Sequence, residues 1–450
     1  MTLGTSLLLN PNLNVGGHAE LCLELAREFE NKGEYQKARE ALSGLWPDIG
    51  ERPRLTDLQE GVAAEVLMRA GVLTGYIGFN NQIADAQEQA KNLISESLTL
   101  FEAQSHCKKI AEAQTELALC YWRTGEFNEA RDLLKDALSR LPFDCELKAK
   151  AVLRLAIVER RATNLSKALQ ILTQSAPLFE RVNSHTLKGC YYQALGDVLE
   201  NLWTMEGPTS YLDRALIEYA AASYHFEEAE HRRFQANVEN NLGFLYFKVS
   251  HCEEAHKHLD CARRIFTNLN DKCAAAQADE TRARVFLKEG QEAEAESVAR
   301  SSVRALEKSD RQSLLAESLT THGIALARLG YNSEALASFR RAIDLSKQLG
   351  SIHRAAEVTL TVFEELGDRL VVIENDQPIS GRKFVAERKS LESDLIQHAL
   401  EVAQGSITHA ARNLGMSHQA LNYMLHTRHK DLLTKRTPPR RRSRKPQIAS

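Results

Sequence analysis

A degenerate internal repeat constrains the fold of this 450-residue chain more than any other feature of its sequence. The clearest copy is residues 117–142, LALCYWRTGEFNEARDLLKDALSRLP. Alanines at corresponding positions recur at Ala255, Ala295 and Ala335, each 40 residues from the next. A period of this length is typical of stacked supersecondary units that bury their apolar faces only against their neighbours. The sequence therefore predicts an array of similar units along most of the chain.

Within residues 117–142, small and apolar residues recur at helical spacing on both sides of a glycine. This pattern resembles the tetratricopeptide repeat. The residues that match the family signature are Leu117, Ala118, Tyr121, Gly125, Phe127, Ala130, Leu134, Ala137 and Pro142. The resemblance implies two helices joined by a turn at Gly125, with alanines where neighbouring hairpins approach closely.

The pattern recurs at residues 25–42, 242–262 and 323–342, and weaker copies centre on Ala168 and Ala295. The spacing of about 40 residues exceeds the usual 34. We therefore expect longer helices or longer turns than in the commonest form of the repeat.

Two stretches without a clear copy, 55–105 and 186–230, each have room for one divergent hairpin with a longer inner loop, at 79–87 and 205–213. We expect seven to nine hairpins over residues 18–367, which would form a right-handed superhelix. Its concave surface would hold a protein or peptide partner, and a rigid spacer without a ligand is the alternative.

Near the C-terminus, residues 405–425 read GSITHAARNLGMSHQALNYML and have the layout of a helix-turn-helix. The first helix has an apolar face of Ile407, Ala410, Ala411 and Leu414. Gly415 is predicted to end it and Ser417 to cap the second helix. That second helix is predicted to bury Ala420, Leu421, Met424 and Leu425. Its predicted polar outer face consists of His418, Gln419, Asn422 and Tyr423, and this geometry suits a major groove of DNA.

A further helix precedes this motif, with an apolar stripe at Leu391, Leu395, Ile396, Ala399, Leu400 and Ala403, and ends at Gly405. Together these elements resemble the Fis-type helix-turn-helix at the C-termini of bacterial NtrC-class regulators. The resemblance implies a DNA-binding domain that dimerises through its first helix, and it puts Ser417, His418, Asn422 and Tyr423 at the groove. Members of the family usually carry Arg or Lys on the recognition helix, whereas this chain has His418, Asn422 and Tyr423 there.

The positive charge needed to bind phosphates is found instead in the segment 428–445. Residues 388–450 carry a net charge of +8, and the rest of the chain carries −11. We predict an extended basic arm here, because Pro438 and Pro439 disfavour a helix. The residues expected to contact DNA are Ser417, His418, Gln419, Asn422, Tyr423, Arg428, Lys430, Lys435, Arg436, Arg440, Arg441 and Arg442.

The sequence lacks the motifs of common catalytic and metal sites. It contains no GxxxxGK[ST], GxSxG or HExxH motif, and its eight cysteines form no CxxC pair. We therefore expect no enzymatic activity, no cofactor and no metal, and we interpret the cysteines as buried free thiols in a reducing cytoplasm. The N-terminus has no basic region before its short apolar run, so no signal peptide is predicted, and no membrane span is expected.

The predicted architecture is all-α, a tetratricopeptide-type α-solenoid superhelix followed by a small Fis-like helix-turn-helix domain. The predicted boundaries are an N-terminal segment 1–17, repeats 18–367, a linker or short β-hairpin 368–387, the helix-turn-helix 388–433 and a basic disordered tail 434–450. The predicted function is that of a bacterial, cytoplasmic transcription regulator, nucleoid-associated when bound to double-stranded DNA. A scaffold protein without specific DNA binding and an RNA-binding regulator are the alternatives.

Overall fold

The computed structural model of the chain describes residues 15–81, 83–141, 144–207, 209–309, 311–366, 393, 396–414, 418–427 and 429–435. Every regular element in these ranges is helical, so the predicted all-α class is confirmed. The linker predicted at 368–387, the segment 1–14 and the tail from Arg436 onward lie outside the described residues. The chain divides into two compact units, Met1–Val249 and Ser250–Ser450.

The first unit consists of consecutive helices, each packed against the next along the chain. These are α1 (Val15–Asn31), α2 (Tyr35–Ala41), α3 (Glu60–Asn81), α4 (Ala86–Ala103), α5 (Cys107–Arg123), α6 (Phe127–Ser139), α7 (Glu146–Arg161), α8 (Leu165–Arg181), α9 (His185–Glu206), α10 (Thr209–Glu228) and α11 (Arg232–Lys248). The odd-numbered helices from α1 to α9 also contact one another in order. They therefore form one layer of the unit.

The second unit continues the same alternation and ends in shorter elements. Its helices are α12 (Cys252–Asn268), α13 (Lys272–Glu289), α14 (Glu292–Leu306), α15 (Gln312–Arg328), α16 (Asn332–Gln348) and α17 (Ile352–Leu366), followed by helical residues 396–402, α18 (Ile407–Asn413), α19 (His418–Thr427) and a 3-10 helix (Lys430–Lys435). Helices α13, α15 and α17 contact one another in order, as the odd-numbered helices of the first unit do.

The alanines that define the sequence repeat are buried helix-contact residues. Ala130, Ala168, Ala255, Ala295 and Ala335 are all fully buried. A methyl group is the largest side chain that lets two helix backbones approach at such a position, so these residues are fixed by packing. The repeat positions predicted from the sequence are confirmed, including those of the two weaker copies.

The turns within the hairpins use a backbone conformation that favours glycine. Gly125, between α5 and α6, has a φ of +85°, and Gly33, Gly290 and Gly330 have φ values of +72°, +73° and +87° at equivalent turns. Thr163 adopts the same region between α7 and α8, with a φ of +63°. The predicted role of Gly125 as the turn residue is confirmed, and Thr163 explains why that copy looked weaker in the sequence.

The two divergent hairpins are present, but their long inner loops were wrongly predicted. Helices α3 and α9 each have 22 residues, and only residues 82–85 and 207–208 separate them from α4 and α10. Within the second of these hairpins, a Cβ on Gly196 would lie 2.8 Å from the ring of Tyr219. The extra residues therefore lengthen the helices, and glycine replaces alanine at the closest contact.

Helix α3 is unusually apolar for this chain. By length and composition alone it could cross a membrane, with a mean hydropathy of 1.3 over its most apolar window. Of that window, 83% is buried inside the protein, which is the behaviour of a core helix. No other helix in the described ranges passes the same test.

The first and last parts of the first unit touch each other through two turns. Gly33, between α1 and α2, lies against the imidazole of His231, which precedes α11. A Cβ on Gly33 would lie 2.6 Å from His231 Nε2. His231 is 1% exposed, stacks on Phe234 with 3.8 Å between ring centroids, and accepts the Phe234 N–H at Nδ1. The Gly33–His231 contact thus joins residues that are far apart in the sequence.

The turn geometry predicts different effects for two glycine substitutions, destabilisation for Gly125→Ala and none for Gly44→Ala. Gly125→Ala should destabilise the protein by about 1 kcal/mol, because its positive φ disfavours any Cβ although the space around it is open. Gly44→Ala is the control, since a Cβ there also meets nothing and no positive φ is required. Urea denaturation measures both. Equal changes in the two variants would contradict a conformational role for Gly125.

The burial of His231 predicts a loss of stability in mild acid. Burial, with a smaller contribution from Arg233, lowers the pKa of His231 from 6.5 to about 4. The folded state therefore favours the neutral ring. The resulting stability is complete above pH 6.5, falls as the pH drops and is absent below about pH 4. Between pH 7.5 and 5 the free energy of unfolding should fall by ~2 kcal/mol from this group.

The control is His231→Asn, which removes the titrating group from the same position. The difference in unfolding free energy between the wild type and this variant should itself change with pH across that range. Parallel pH profiles for the two proteins would show that His231 is not the responsible group.

Candidate functional sites

The C-terminal module begins with a short helical segment that ends sharply. Ile396, Ala399 and Leu400 are buried on one face of residues 396–402. The chain then turns at Gly405, whose φ is +80° and whose N–H donates to the carbonyl of Leu400 at 2.8 Å. The predicted glycine stop is confirmed here. The predicted stripe residues Leu391 and Leu395 lie outside the described part of the chain.

Helix α18 starts at a serine cap and packs through a pair of alanines. Ser406 precedes the helix and its hydroxyl accepts the His409 N–H at 3.4 Å. Ala410 and Ala411 are buried, and so is Leu414 at the C-terminal end. Small side chains at this crossing allow the helices of the module to approach closely.

Helix α19 completes a small apolar core. Its buried residues are Leu421 and Leu425, and Met424 is half-buried against them. The buried members of the whole cluster are Ile396, Ala399, Leu400, Ala410, Ala411, Leu414, Leu421, Leu425 and Leu432. The predicted turn 415–417, with Gly415 and Ser417, and the side chain of Ala420 are not among the described parts of the chain.

The outer face of α19 carries polar and aromatic side chains. His418, Gln419 and Tyr423 are exposed, with Tyr423 at 65%, whereas Asn422 is half-buried. Exposed His426 lies on the same helix, and the sequence reasoning did not select it. His426 could have been predicted from the sequence as part of the outer face, because it follows Asn422 by one helical turn. The four selected residues of α19 are therefore at least partly accessible to solvent.

The segment after α19 differs from the extended arm predicted from the sequence. Residues Lys430–Lys435 form a 3-10 helix that packs on the core through Leu432. The preceding His429 is completely buried, and Lys430 is exposed. Leu432 is buried in this core and Leu433 packs against it, so the chain returns to the module here. Arg428, Arg436, Arg440, Arg441 and Arg442 and the side chain of Lys435 lie outside the described residues.

The odd-numbered helices of the first unit carry a network of buried ion pairs. Arg69 on α3 has a side chain that is 5% exposed, and it donates to Glu30 on α1 at 2.6 Å and to Glu112 on α5 at 2.7 Å. Burial alone would lower the pKa of Arg69, but Glu30 and Glu112 raise it above its usual range. Three helices are therefore joined by one guanidinium that stays charged.

A second buried cluster joins α5 to α7. Glu116 accepts hydrogen bonds from Arg154 at 2.8 Å and Lys150 at 2.5 Å, and Arg154 also donates to the carbonyl of Thr115 at 2.5 Å. Burial would raise the pKa of Glu116, but Arg154 and Lys150 hold it well below its usual range. These charges are neutralised within the protein, and removing one partner would leave the other buried without compensation.

The cysteines are more varied than the sequence suggested. Cys22 and Cys120 are buried, Cys107 is exposed and the other five are half-buried, all as free thiols. Burial raises the pKa of Cys120 to about 11 and that of Cys190 to about 12, which keeps these thiols protonated and unreactive. No group of three or more His, Cys, Asp or Glu that could hold a metal ion occurs among the residues the structure describes.

Comparison with known proteins finds a family match in the repeats and another in the C-terminal module. Residues 387–425 match the family described as bacterial regulatory protein, Fis family, and residues 111–142 match the tetratricopeptide repeat. No curated protein sequence matches the chain.

Two solved structures share the fold of the chain. A Rap protein complexed with competence and sporulation factor has a TM-score of 0.50 and 14% identity, over 83% of this chain and 100% of the Rap chain. The apo quorum sensor NprR from B. thuringiensis has a TM-score of 0.51 and 12% identity, over 74% of this chain and 89% of its own. The chain thus combines a tetratricopeptide-type α-solenoid with a C-terminal helix-turn-helix of the Fis family.

Proposed function

We propose that this chain is a sequence-specific, DNA-binding transcription regulator whose tetratricopeptide superhelix binds a protein or peptide partner. The observation that carries the proposal is the exposed polar face of α19, held on a buried core within the segment that matches the Fis family. A short helix with this surface can enter a major groove while the rest of the module contacts the backbone. The action is binding, and no catalytic step, metal or cofactor is part of the proposal.

The repeats would control DNA binding by binding a partner. The similar Rap protein is complexed with competence and sporulation factor, and NprR is a quorum sensor. By analogy we propose that the repeats of this chain bind a partner whose presence changes DNA binding or dimer geometry. We place the protein in the bacterial cytoplasm, at the nucleoid when it is bound to double-stranded DNA, and we propose a homodimer because two linked modules read a two-fold site.

Selection of genomic fragments by the purified full chain tests this function. A regulator should enrich a discrete sequence from random fragments at physiological salt, with an affinity well above that for bulk DNA. A scaffold protein of the alternative class would enrich none. An RNA-binding regulator would also enrich no duplex sequence, and a parallel binding measurement with single-stranded RNA separates it from the scaffold protein.

Asn422 is the first residue to substitute once a specific DNA sequence has been selected. An amide on the recognition helix can pair with adenine in the major groove, so Asn422→Ala should weaken specific binding by about 1–3 kcal/mol and barely affect random DNA. Asn92→Ala, the same change on an exposed face of α4, is the matched control and should have no effect. Equal weakening on specific and random DNA would rule out the assigned base contact.

The basic tail is predicted to contribute charge without sequence preference. Deleting residues 436–450 should weaken binding to all duplexes and flatten the dependence of log affinity on log salt by about 0.9 for each phosphate that the tail had neutralised. The measurement is a fluorescence-anisotropy titration at several salt concentrations, with the full chain as reference. If the dependence of log affinity on log salt stays unchanged after the deletion, the tail does not contact the DNA phosphates.

A further inference from the structure

Helix α10 exposes two large apolar side chains on one face. Ile217 is 66% exposed and Tyr224 is 56% exposed. They lie seven residues apart, or about two helical turns, so they share a face of the helix, and exposed Ala220 lies between them. Single apolar side chains on a protein surface are ordinary, but a row of them along one helix indicates a contact with another surface.

The equivalent faces of the later hairpins are mostly charged. The 40-residue register of the repeat alanines also includes Ala215, which is fully buried on α10. The exposed positions of α10 can therefore be compared directly with those of the later even-numbered helices. The exposed residues at the three equivalent positions are Lys257, Asp260 and Arg264 on α12, Ser297, Arg300 and Arg304 on α14, and Ala337, Arg340 and Asp344 on α16. The repeat fold thus does not require isoleucine and tyrosine here, and their presence on α10 needs another reason.

The apolar face of α10 has an approximate two-fold symmetry in its sequence. Ile217 precedes Ala220 by three residues, and Tyr224 follows Ala221 by three. When a two-fold axis relates two copies of a chain, a residue i that contacts j of the other copy is matched by j contacting i. Two antiparallel copies of α10 that cross at the alanines would place each Ile217 against Tyr224 of the partner subunit. Alanine at the crossing lets the two helices approach closely.

The exposed charges at the two ends of this face favour the antiparallel arrangement. Arg214 lies one turn before Ile217, and Glu227 and Glu228 end the helix. Antiparallel copies bring Arg214 of one copy beside Glu228 of the partner subunit, whereas parallel copies would oppose like charges. Asp213 offsets part of the positive charge at this end. The apolar contacts are therefore expected to contribute most of the affinity, and the charges to select the orientation.

We propose that α10 packs through this face against the same face of a second copy of the chain. We call Arg214, Ile217, Ala220, Tyr224 and Glu228 the α10 face. The inference rests on the proposed function, in which the chain is a homodimer, and it assigns the contact to the repeats instead of the first helix of the C-terminal module. One helix face is smaller than a standard stable interface, so the dimer should depend on concentration. It would link two helix-turn-helix modules, which strengthens binding to a two-fold site.

Sedimentation velocity of the full chain over a concentration series, without DNA, tests the interface. The wild type should pass from monomer to dimer. Ile217→Glu should weaken the dimer by about a hundredfold or more, because it removes two apolar side chains from each interface. Ser297→Glu is the matched control, since it introduces the same charge at the equivalent exposed position of α14 and should leave the association unchanged. Because Ile217 is exposed in the single chain, the thermal midpoint of the Ile217→Glu monomer should equal that of the wild-type monomer.

Charge reversal tests the antiparallel orientation. Arg214→Glu should weaken the dimer, because it opposes like charges at both ends of the interface. Adding Glu228→Arg to the same chain should restore the association, since in a two-fold interface each change meets its complement on the other copy. A double variant that associates no better than Arg214→Glu alone would overturn the antiparallel arrangement and the proposal with it.

Two results of the sedimentation series would also overturn the proposal. A chain that stays monomeric up to roughly 100 μM has no interface of this kind. A dimer that Ile217→Glu leaves intact uses another surface, such as the first helix of the C-terminal module. Neither result decides the DNA-binding function, because the selection of genomic fragments is a separate measurement that a monomer can satisfy with a single half-site. Conversely, a dimer lost in Ile217→Glu by a chain that enriches no DNA sequence would support the α10 face and reject the proposed function.

Discussion

The contact between a glycine on one helix and an aromatic ring on the next is the constraint that sets the helix separation in two of the hairpins, α9/α10 and α15/α16. In the first unit, Gly189 faces Phe226 and Gly196 faces Tyr219, and in the second unit Gly323 faces Phe339. In each pair a Cβ would lie within 2.8 Å of a ring carbon. The ring fills the space where a side chain would be, and this sets the separation of the two helices. That separation also places the Tyr219 hydroxyl 2.9 Å from a carboxylate oxygen of Asp197 and 2.9 Å from one of Glu200, so its single proton is shared between the two.

Elsewhere in the first unit, the charges buried between helices are compensated by partners on neighbouring helices. Arg69 and Arg154 meet carboxylates from neighbouring helices, and the pairs hold the layer of odd-numbered helices together. The C-terminal module has the opposite design. Its buried residues are apolar or small apart from His429, and α19 exposes the polar side chains of His418 and Gln419. One part of the chain therefore uses polar groups to join its own helices, and the other leaves them available for contact with a second molecule.

The sequence predicted those features that follow from spacing along one or two helices. Ala130 and Ala335 could be placed because burial repeats with the helical period, and Gly125 because a tight turn needs positive φ. The lengths of α3 and α9 could not, because glycine takes the place of alanine at their contacts with the next helix, as where Gly71 meets Ile94 and Gly196 meets Tyr219. At the C-terminus the apolar face of α18 was predictable, whereas the return of Leu432 to the core depends on the space left by three other elements. Pairing among Arg69, Glu30 and Glu112 depends on three helices, which no local pattern specifies.

The Gly33–His231 contact has a consequence for how the first unit folds. In an open repeat array each hairpin interacts only with its neighbours, so stability is nearly a sum of local terms and the ends can fray independently. Here the first hairpin also contacts the turn before α11. Forming that contact requires closure of a long chain segment, which raises the contact order and slows folding relative to an open array. It also couples the terminal hairpin to the opposite end of the unit, so a ligand that separates Gly33 from His231 would change the cooperativity of the whole unit.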